Sequence, residues 1–487
     1  MLDTAAPARP VPKAEWAERV PALRAALLEA QFELQEAAAF PVVVIVSGAD
    51  GAGKGDTVNR LHEWLDPRGI ATHVFGPLTD DERDRPPLWR FWRTLPARGR
   101  IGLFFGSWYT DPIVRRAYRE SGKAEFDRGL ERIAAFERAL SDDGALIVKF
   151  WLHLSKKSQR ARLAELAGRR RTRWRVTPTD WKHLGLYDRF RPLSERALRA
   201  THGPHARWVV VDAADDRHRD ITVGETLLRA LRARLDGPPA PPPPSPARRR
   251  PVPDALGSAT RPGPAGDYKA ERDEWQGRLS RLTRKAHREG VATVLVFEGW
   301  DAAGKGGVIR RVTQAIDARL YTVVPIAAPS TEERAHHYLW RFWRHVPQAG
   351  HLTVFDRSWY GRVLVERVEG FAGEDQWRRA YGEIREFERQ LAEHGIVLLK
   401  FWLHVSPEEQ LRRFQERAQT PFKRHKITAE DWRNREKWGP YVEAVNEMIA
   451  ETSAEEAPWE VVPAEDKQEA RLRILKAVSR RLKRALR

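Results

Sequence analysis

The chain repeats itself at a fixed offset, and that repeat constrains its fold more than any other feature. Gly48-Ala-Asp-Gly-Ala-Gly53-Lys54-Gly55 returns 251 positions later as Gly299-Trp-Asp-Ala-Ala-Gly304-Lys305-Gly306. Trp89-Arg-Phe-Trp-Arg93 returns as Trp340-Arg-Phe-Trp-Arg344, and Ser107-Trp-Tyr109 as Ser358-Trp-Tyr360. Lys149-Phe-Trp-Leu-His153 returns as Lys400-Phe-Trp-Leu-His404, and Asp180-Trp181 as Asp431-Trp432. The offset never changes, so no net insertion separates these landmarks. A period this long is a duplicated domain rather than a solenoid unit, whose period is about 20–50 residues. Matched positions then act as controls for one another: where the copies differ, one has changed its task.

Composition narrows the class. The 487 residues include no cysteine, which excludes a disulfide framework and thiolate-held metals. The first residues, Met1-Leu-Asp-Thr-Ala-Ala-Pro-Ala-Arg-Pro10, lack the basic-then-apolar order of a secretion signal. No apolar run approaches the ~18–20 residues that cross a bilayer. A cytoplasmic location with no membrane partner is expected. The net charge of +18, at a sequence pI near 10.2, gives a surface that attracts polyanions such as nucleic acid, acidic lipid or inorganic polyphosphate. A bland alternative is a general arginine bias, since arginine far outnumbers lysine.

The expected division is an N-terminal domain over 1–236, a proline-rich linker over 237–266 and a C-terminal domain over 267–487. The linker contains Gly237-Pro-Pro-Ala-Pro-Pro-Pro-Pro-Ser-Pro246, which cannot pack a core and stays extended. An amphipathic helix is predicted over about Lys13–Ala39 and another over Tyr268–Glu289. Short apolar runs alternate with helical patterns in both copies. They are Val42–Val46, Ile101–Phe105, Ala145–Trp151 and Trp208–Val211, then Ala292–Phe297, Leu352–Phe355, Ile396–Trp402 and Trp459–Val462. Such runs read as strands buried on both faces of a parallel sheet. The fold class is therefore α/β, two tandem three-layer α/β/α domains built from βαβ units.

In both copies the Gly-x-x-x-x-Gly-Lys stretch follows a predicted strand and precedes a helix pattern, the context a phosphate-binding loop needs. Glycines turn backbone N–H groups toward phosphate oxygens, and the helix end adds positive potential. The loop of the second copy supplies Gly299, Ala302, Ala303, Gly304 and Gly306, with Lys305 reaching the terminal phosphates. The usual Ser or Thr after the lysine is Gly55 or Gly306 here, so Asp50 and Asp301 are the candidate magnesium anchors. The next strand separates the copies. Val354-Phe-Asp356-Arg357-Ser-Trp-Tyr-Gly-Arg362 carries charges that Phe104-Phe105-Gly106-Ser-Trp-Tyr-Thr-Asp111 lacks, and Glu366 is matched by Arg115. Asp356 ends a strand, where α/β sheets put their working residues. Further on lie Arg412, Arg413, Arg417, Lys423, Arg424, Lys426 and Asp431, a basic segment suited to closing on phosphates.

Taken together these motifs resemble the family-2 polyphosphate kinases. Phe297-Glu-Gly-Trp-Asp-Ala-Ala-Gly-Lys-Gly-Gly307, Phe355-Asp-Arg-Ser-Trp-Tyr360, Lys400-Phe-Trp-Leu-His404, and Asp431-Trp432 with Trp438 carry the resemblance. It covers nearly all of both repeats, and the tandem arrangement is similar to the family's two-domain branch. The resemblance implies a P-loop kinase fold with helical lids and Mg2+-dependent transfer of a terminal phosphoryl group from polyphosphate to AMP, giving ADP. It carries over Asp301, Lys305, Asp356 and Arg357 as the catalytic core and Arg362, Glu366, Arg417, Lys423 and Arg424 as phosphate or metal contacts. Metal is expected on Asp301, Asp356 and Glu366. Polyphosphate and AMP or ADP are the expected partners, with no nucleic acid, and with homo-oligomerisation in addition to an intrachain pseudo-dimer. The first copy departs at Phe105, Gly106, Asp111 and Arg115, so it is expected to be catalytically degenerate. Two alternatives stay open at this point: an ATP-dependent nucleoside or nucleotide kinase, and a polyanion-binding protein without activity.

Overall fold

The computed structural model describes residues 1–2, 9–237, 252–257, 266–421 and 427–486. Most of the proline-rich stretch lies outside the described residues. The chain divides into two compact units. One contains residues 1–77, 90–242 and 331–337; the other contains 78–89, 243–330 and 338–487.

In the first unit the strands are β1 (Val42–Gly48), β2 (Ile70–Val74), β3 (Ile101–Phe105), β4 (Leu146–His153) and β5 (Trp208–Asp212). They form one parallel sheet in the order β2-β3-β1-β4-β5. The second unit has β6 (Thr293–Gly299), β7 (Tyr321–Pro325), β8 (Leu352–Asp356), β9 (Val397–His404) and β10 (Trp459–Pro463), in the corresponding order β10-β9-β6-β8-β7. The central strands are buried along almost their whole length because helices cover both faces. In the first unit Leu27 and Leu34 of helix Lys13–Ala37 pack with Val42, Val44 and Val46 of β1, and with Leu227 and Leu231 of helix Asp216–Leu235. The four predicted runs of each copy are strands. The sequence reading left out β2 and β7, the outer strands beside β3 and β8. Residues such as His73 and Thr322 in them face solvent in part, so the apolar run that marks the other strands, the outermost β5 and β10 included, is missing.

The aromatic motifs shared by both units serve the core. Trp359 Nε1 and Tyr360 OH both donate to Glu388, whose other oxygen accepts from Lys400 Nζ at 2.7 Å. The same ammonium donates to Thr452 O at 2.7 Å. Trp108, Tyr109, Glu137, Lys149 and Thr201 repeat the cluster in the first unit. Both lysines are fully buried, and burial pushes their pKa down while the glutamate partner opposes it. Removing one member of such a pair costs about 3–5 kcal/mol, because the other charge is left without compensation. That cost accounts for the Ser-Trp-Tyr and Lys-Phe-Trp-Leu-His motifs in both halves without any appeal to catalysis.

Candidate active site

Register delivers the site. β6 pairs with β8 so that Phe297 stands beside Asp356. The loop leaving β6 and the residues leaving β8 therefore emerge side by side at the carboxyl end of the sheet, where α/β folds bind ligands. Gly299 opens the loop at φ +144°, and a Cβ there would lie 2.5 Å from Leu403 O, so only glycine fits against β9. Helix Lys305–Thr313 begins where the loop ends, which points its N-terminal N–H groups at the loop.

Two non-glycine residues at this end sit in the left-handed region, Ala302 at φ +63° and Arg357 at φ +64°. Each costs about 1–3 kcal/mol of backbone strain. The first unit has glycine at both matched positions, Gly51 at φ +76° and Gly106 at φ +70°. The turn itself is common to both halves; the second half accepts strain in order to put an arginine on it. The Arg357 amide donates to Phe297 O at 3.0 Å, and its Nη2 donates to Asp301 Oδ1 at 3.1 Å. Asn434 Nδ2 donates to the other Asp301 oxygen at 2.9 Å.

The charges are tightly coupled. Burial would raise the Asp301 carboxyl, but Lys305, Arg357 and the Asn434 hydrogen bond outweigh it and hold it below the usual carboxylate range. Burial, helped by Arg357, lowers the Lys305 ammonium, against the pull of Asp301, Asp356 and Glu298. Lys305 Nζ donates to Gly299 O at 2.6 Å and to Trp300 O at 3.2 Å. Glu298, the last residue of β6 before Gly299, is buried and accepts from Ser358 Oγ at 2.8 Å; burial raises its pKa. Trp300 stacks on Trp438 with ring centres 3.8 Å apart and planes 12° apart, which fixes the loop flank.

The loop and the end of β8 open onto a cavity of about 690 Å³. Asp301, Ala302, Ala303, Gly304, Lys305, Gly306, Asp356, Arg357, Arg417 and Asp431, all singled out from the sequence, are on its wall. Gly299 stands just behind, its carbonyl bonded to Lys305. Three expected contacts are placed elsewhere. Arg413 is buried and its guanidinium is used up by the protein, on Ala302 O, Ala303 O, Ala464 O, Glu465 O and Glu409. It braces the loop from behind instead of facing a ligand. Arg362 pairs with Glu366 at 3.0 Å and lies over the Tyr338 ring, and neither residue reaches the cavity. Lys423, Arg424 and Lys426 lie outside the described residues.

The sequence reading missed Arg310, Arg311 and Arg471, which also line the cavity, and Asn434 on Asp301. A signal existed. The matched residues of the first copy are Asn59, Arg60, Asp220 and His183. At four cavity cations, Arg310, Arg357, Arg417 and Arg471, the first copy has Asn59, Gly106, Leu166 and Asp220. Arg310, Arg311, Arg417 and Arg471 form no ion pair with a described residue. Arginines left without carboxylates around one concave wall make a receptor for a polyanion.

The first unit has a different site at the same place. Lys54 Nζ donates to Gly48 O at 2.9 Å and pairs with Asp50 at 3.1 Å, while His183 Nδ1 lies 2.6 Å from the other Asp50 oxygen. The surrounding cavity is smaller, about 290 Å³, and its wall includes Val46, Phe75, Phe105, Ile113 and Phe190. Gly106, in the place of Arg357, lets the chain close in: a Cβ there would meet Phe75 O at 2.9 Å.

The profile of the family described as "Polyphosphate kinase 2 (PPK2)" matches residues 11–237 and 264–487. A polyphosphate:AMP phosphotransferase of Pseudomonas aeruginosa is 48% identical over 98% of each chain. One of the same name from Acinetobacter johnsonii is 37% identical, covering 94% of this chain and 95% of its own. A crystal structure of a polyphosphate kinase 2 from Pseudomonas aeruginosa superposes with a TM-score of 0.88 at 46% identity, covering 100% of this chain and 99% of that one.

Proposed function

This chain belongs to the polyphosphate kinase 2 family, and from that premise we propose that it moves the terminal phosphoryl group of inorganic polyphosphate to AMP, giving ADP. We assign the transfer to the C-terminal domain, 267–487, and treat the N-terminal domain, 1–236, as having lost it. The observation that carries this reading is the cavity whose wall brings Lys305, Arg357 and four further arginines together with Asp301 and Asp356. Donor and acceptor are both polyanions, and their mutual repulsion is the main obstacle to in-line approach. Phosphoryl transfer needs chiefly positioning and charge stabilisation, which a wall of fixed cations supplies without a covalent intermediate.

In this reading Lys305 and the loop amides hold the donor's terminal phosphates, and Arg357 neutralises charge developing on the transferred group. Arg417, Arg310, Arg311 and Arg471 guide the polymer and grip the acceptor phosphate. The carboxylates of Asp301 and Asp356 are hard oxygen donors on one wall, and the Asp356 side chain has no hydrogen-bond partner among the described residues. No group of three His, Cys, Asp or Glu able to hold a metal is found among the described residues. Two carboxylates completed by substrate phosphates fit Mg2+, which is seldom held by an all-protein cage. When bound there, the ion would screen the phosphate charges. No helix among the described residues is long and apolar enough to cross a membrane. With the absence of cysteine, this supports a cytoplasmic location.

The test is ADP formation from AMP and long-chain polyphosphate with Mg2+. Lys305→Ala and Asp356→Asn should each lower kcat/KM by on the order of 10³. Lys54→Ala, in the other unit, should leave it within about twofold, as for a residue making no contact with the reacting groups. ATP should not replace polyphosphate as donor. A folded Lys54→Ala protein as inactive as Lys305→Ala would overturn the assignment to the C-terminal domain.

A further inference from the structure

The cavity at the first unit's loop remains after the charges of a phosphoryl site are gone. Phe105 stands where the second unit has Asp356, and Gly106 where it has Arg357. The floor charges are mutually satisfied, Lys54 with Asp50 and Asp50 with His183. Burial would raise the Asp50 carboxyl, but Lys54 and His183 hold it well below the usual carboxylate range, so the group remains an ion bound to its neighbours. Bringing a phosphate here would break that pairing and bury new charge against Phe75, Phe105 and Phe190. An uncharged guest would break nothing.

Size and lining specify the guest further. A cavity of about 150 Å³ lined by apolar side chains holds one benzene ring. This one, at about 290 Å³, has room for two fused rings. Phe75, Phe105, Tyr109, Trp151 and Phe190 put five aromatic side chains on its wall, which favour an aromatic guest over an aliphatic one. We propose that the first unit binds an uncharged two-ring aromatic molecule in the cavity at its vestigial phosphate loop. This site is independent of the transfer assigned to the other unit.

The experiment titrates 2-naphthol, an uncharged two-ring probe, into the full-length protein. Binding is followed by saturation-transfer NMR and calorimetry. One saturable site per chain is expected, not displaced by polyphosphate. Phe105→Asp, which restores the carboxylate the second unit tolerates at the matched position, should weaken binding about tenfold or more. Val114→Phe, which fills the cavity from helix Thr110–Ala117, should do the same without adding charge. Should Phe105→Asp fail to fold by circular dichroism, Val114→Phe decides alone. Absence of saturable binding, indifference to the folded variants, or displacement by polyphosphate would each overturn the proposal.

Discussion

Arg357 shows how a single residue exposes its purpose through what it costs. Its backbone takes a left-handed conformation that glycine adopts freely in the other half, and its side chain reaches Asp301. A position that carries strain only where the surrounding charges are present is a position kept for those charges. Arg357→Gly should therefore leave thermal stability unchanged or raised by about 1 kcal/mol. Phosphotransfer should meanwhile fall by on the order of 10²–10³. Paired melting curves and steady-state rates separate the two effects; a variant that keeps its rate would show that the arginine is ornamental. The sequence points to Arg357 because strand end, loop and charge lie in local order. It gives no hint of the strain, which exists only once β8 is paired with β6.

At the scale of elements, helix Pro407–Gln419 ties the loop to the sheet. Ser406 caps it, Glu409 lies in its first turn, and Glu409 holds Arg413 against the loop carbonyls. Hydrogen bonds from Arg412 and then Arg413 lower the Glu409 pKa to about 2, against the pull of burial. A carboxyl depressed on folding contributes stability above its unfolded pKa, near 4.3, and loses that contribution as pH falls through the folded value. Glu409→Gln should thus be less stable than the parent at pH 6, with the gap closing as pH falls toward about 2. Chemical denaturation across that range reads it, and a gap that stays constant with pH would refute the linkage. This element also shows why Arg413 is misread from sequence. A guanidinium bracing carbonyls and one gripping phosphates have the same local pattern, and only the fold says which way it faces. Most strands are legible for the opposite reason: burial writes an apolar run, present even in the outermost β5 and β10, whereas β2 and β7 are more exposed and carry none. Arg471 belongs to a helix far along the chain from Lys305, where arginine is unremarkable until the domain closes.

For the whole molecule, duplication has left two frameworks with one strand order, one offset and the same buried Lys–Glu–Tyr cluster, but with opposite contents at the loop. With glycine at 106, the carbonyl of Phe75 lies where a side chain would begin. Gly106→Arg alone should now cost about 2–4 kcal/mol, from left-handed strain and overlap with that carbonyl. A melting curve unchanged by the substitution would refute this. A single exchange at this position therefore cannot give the first loop the charge of the second, because a neighbouring carbonyl occupies the space the side chain would need. The two halves share a framework without being interchangeable one residue at a time.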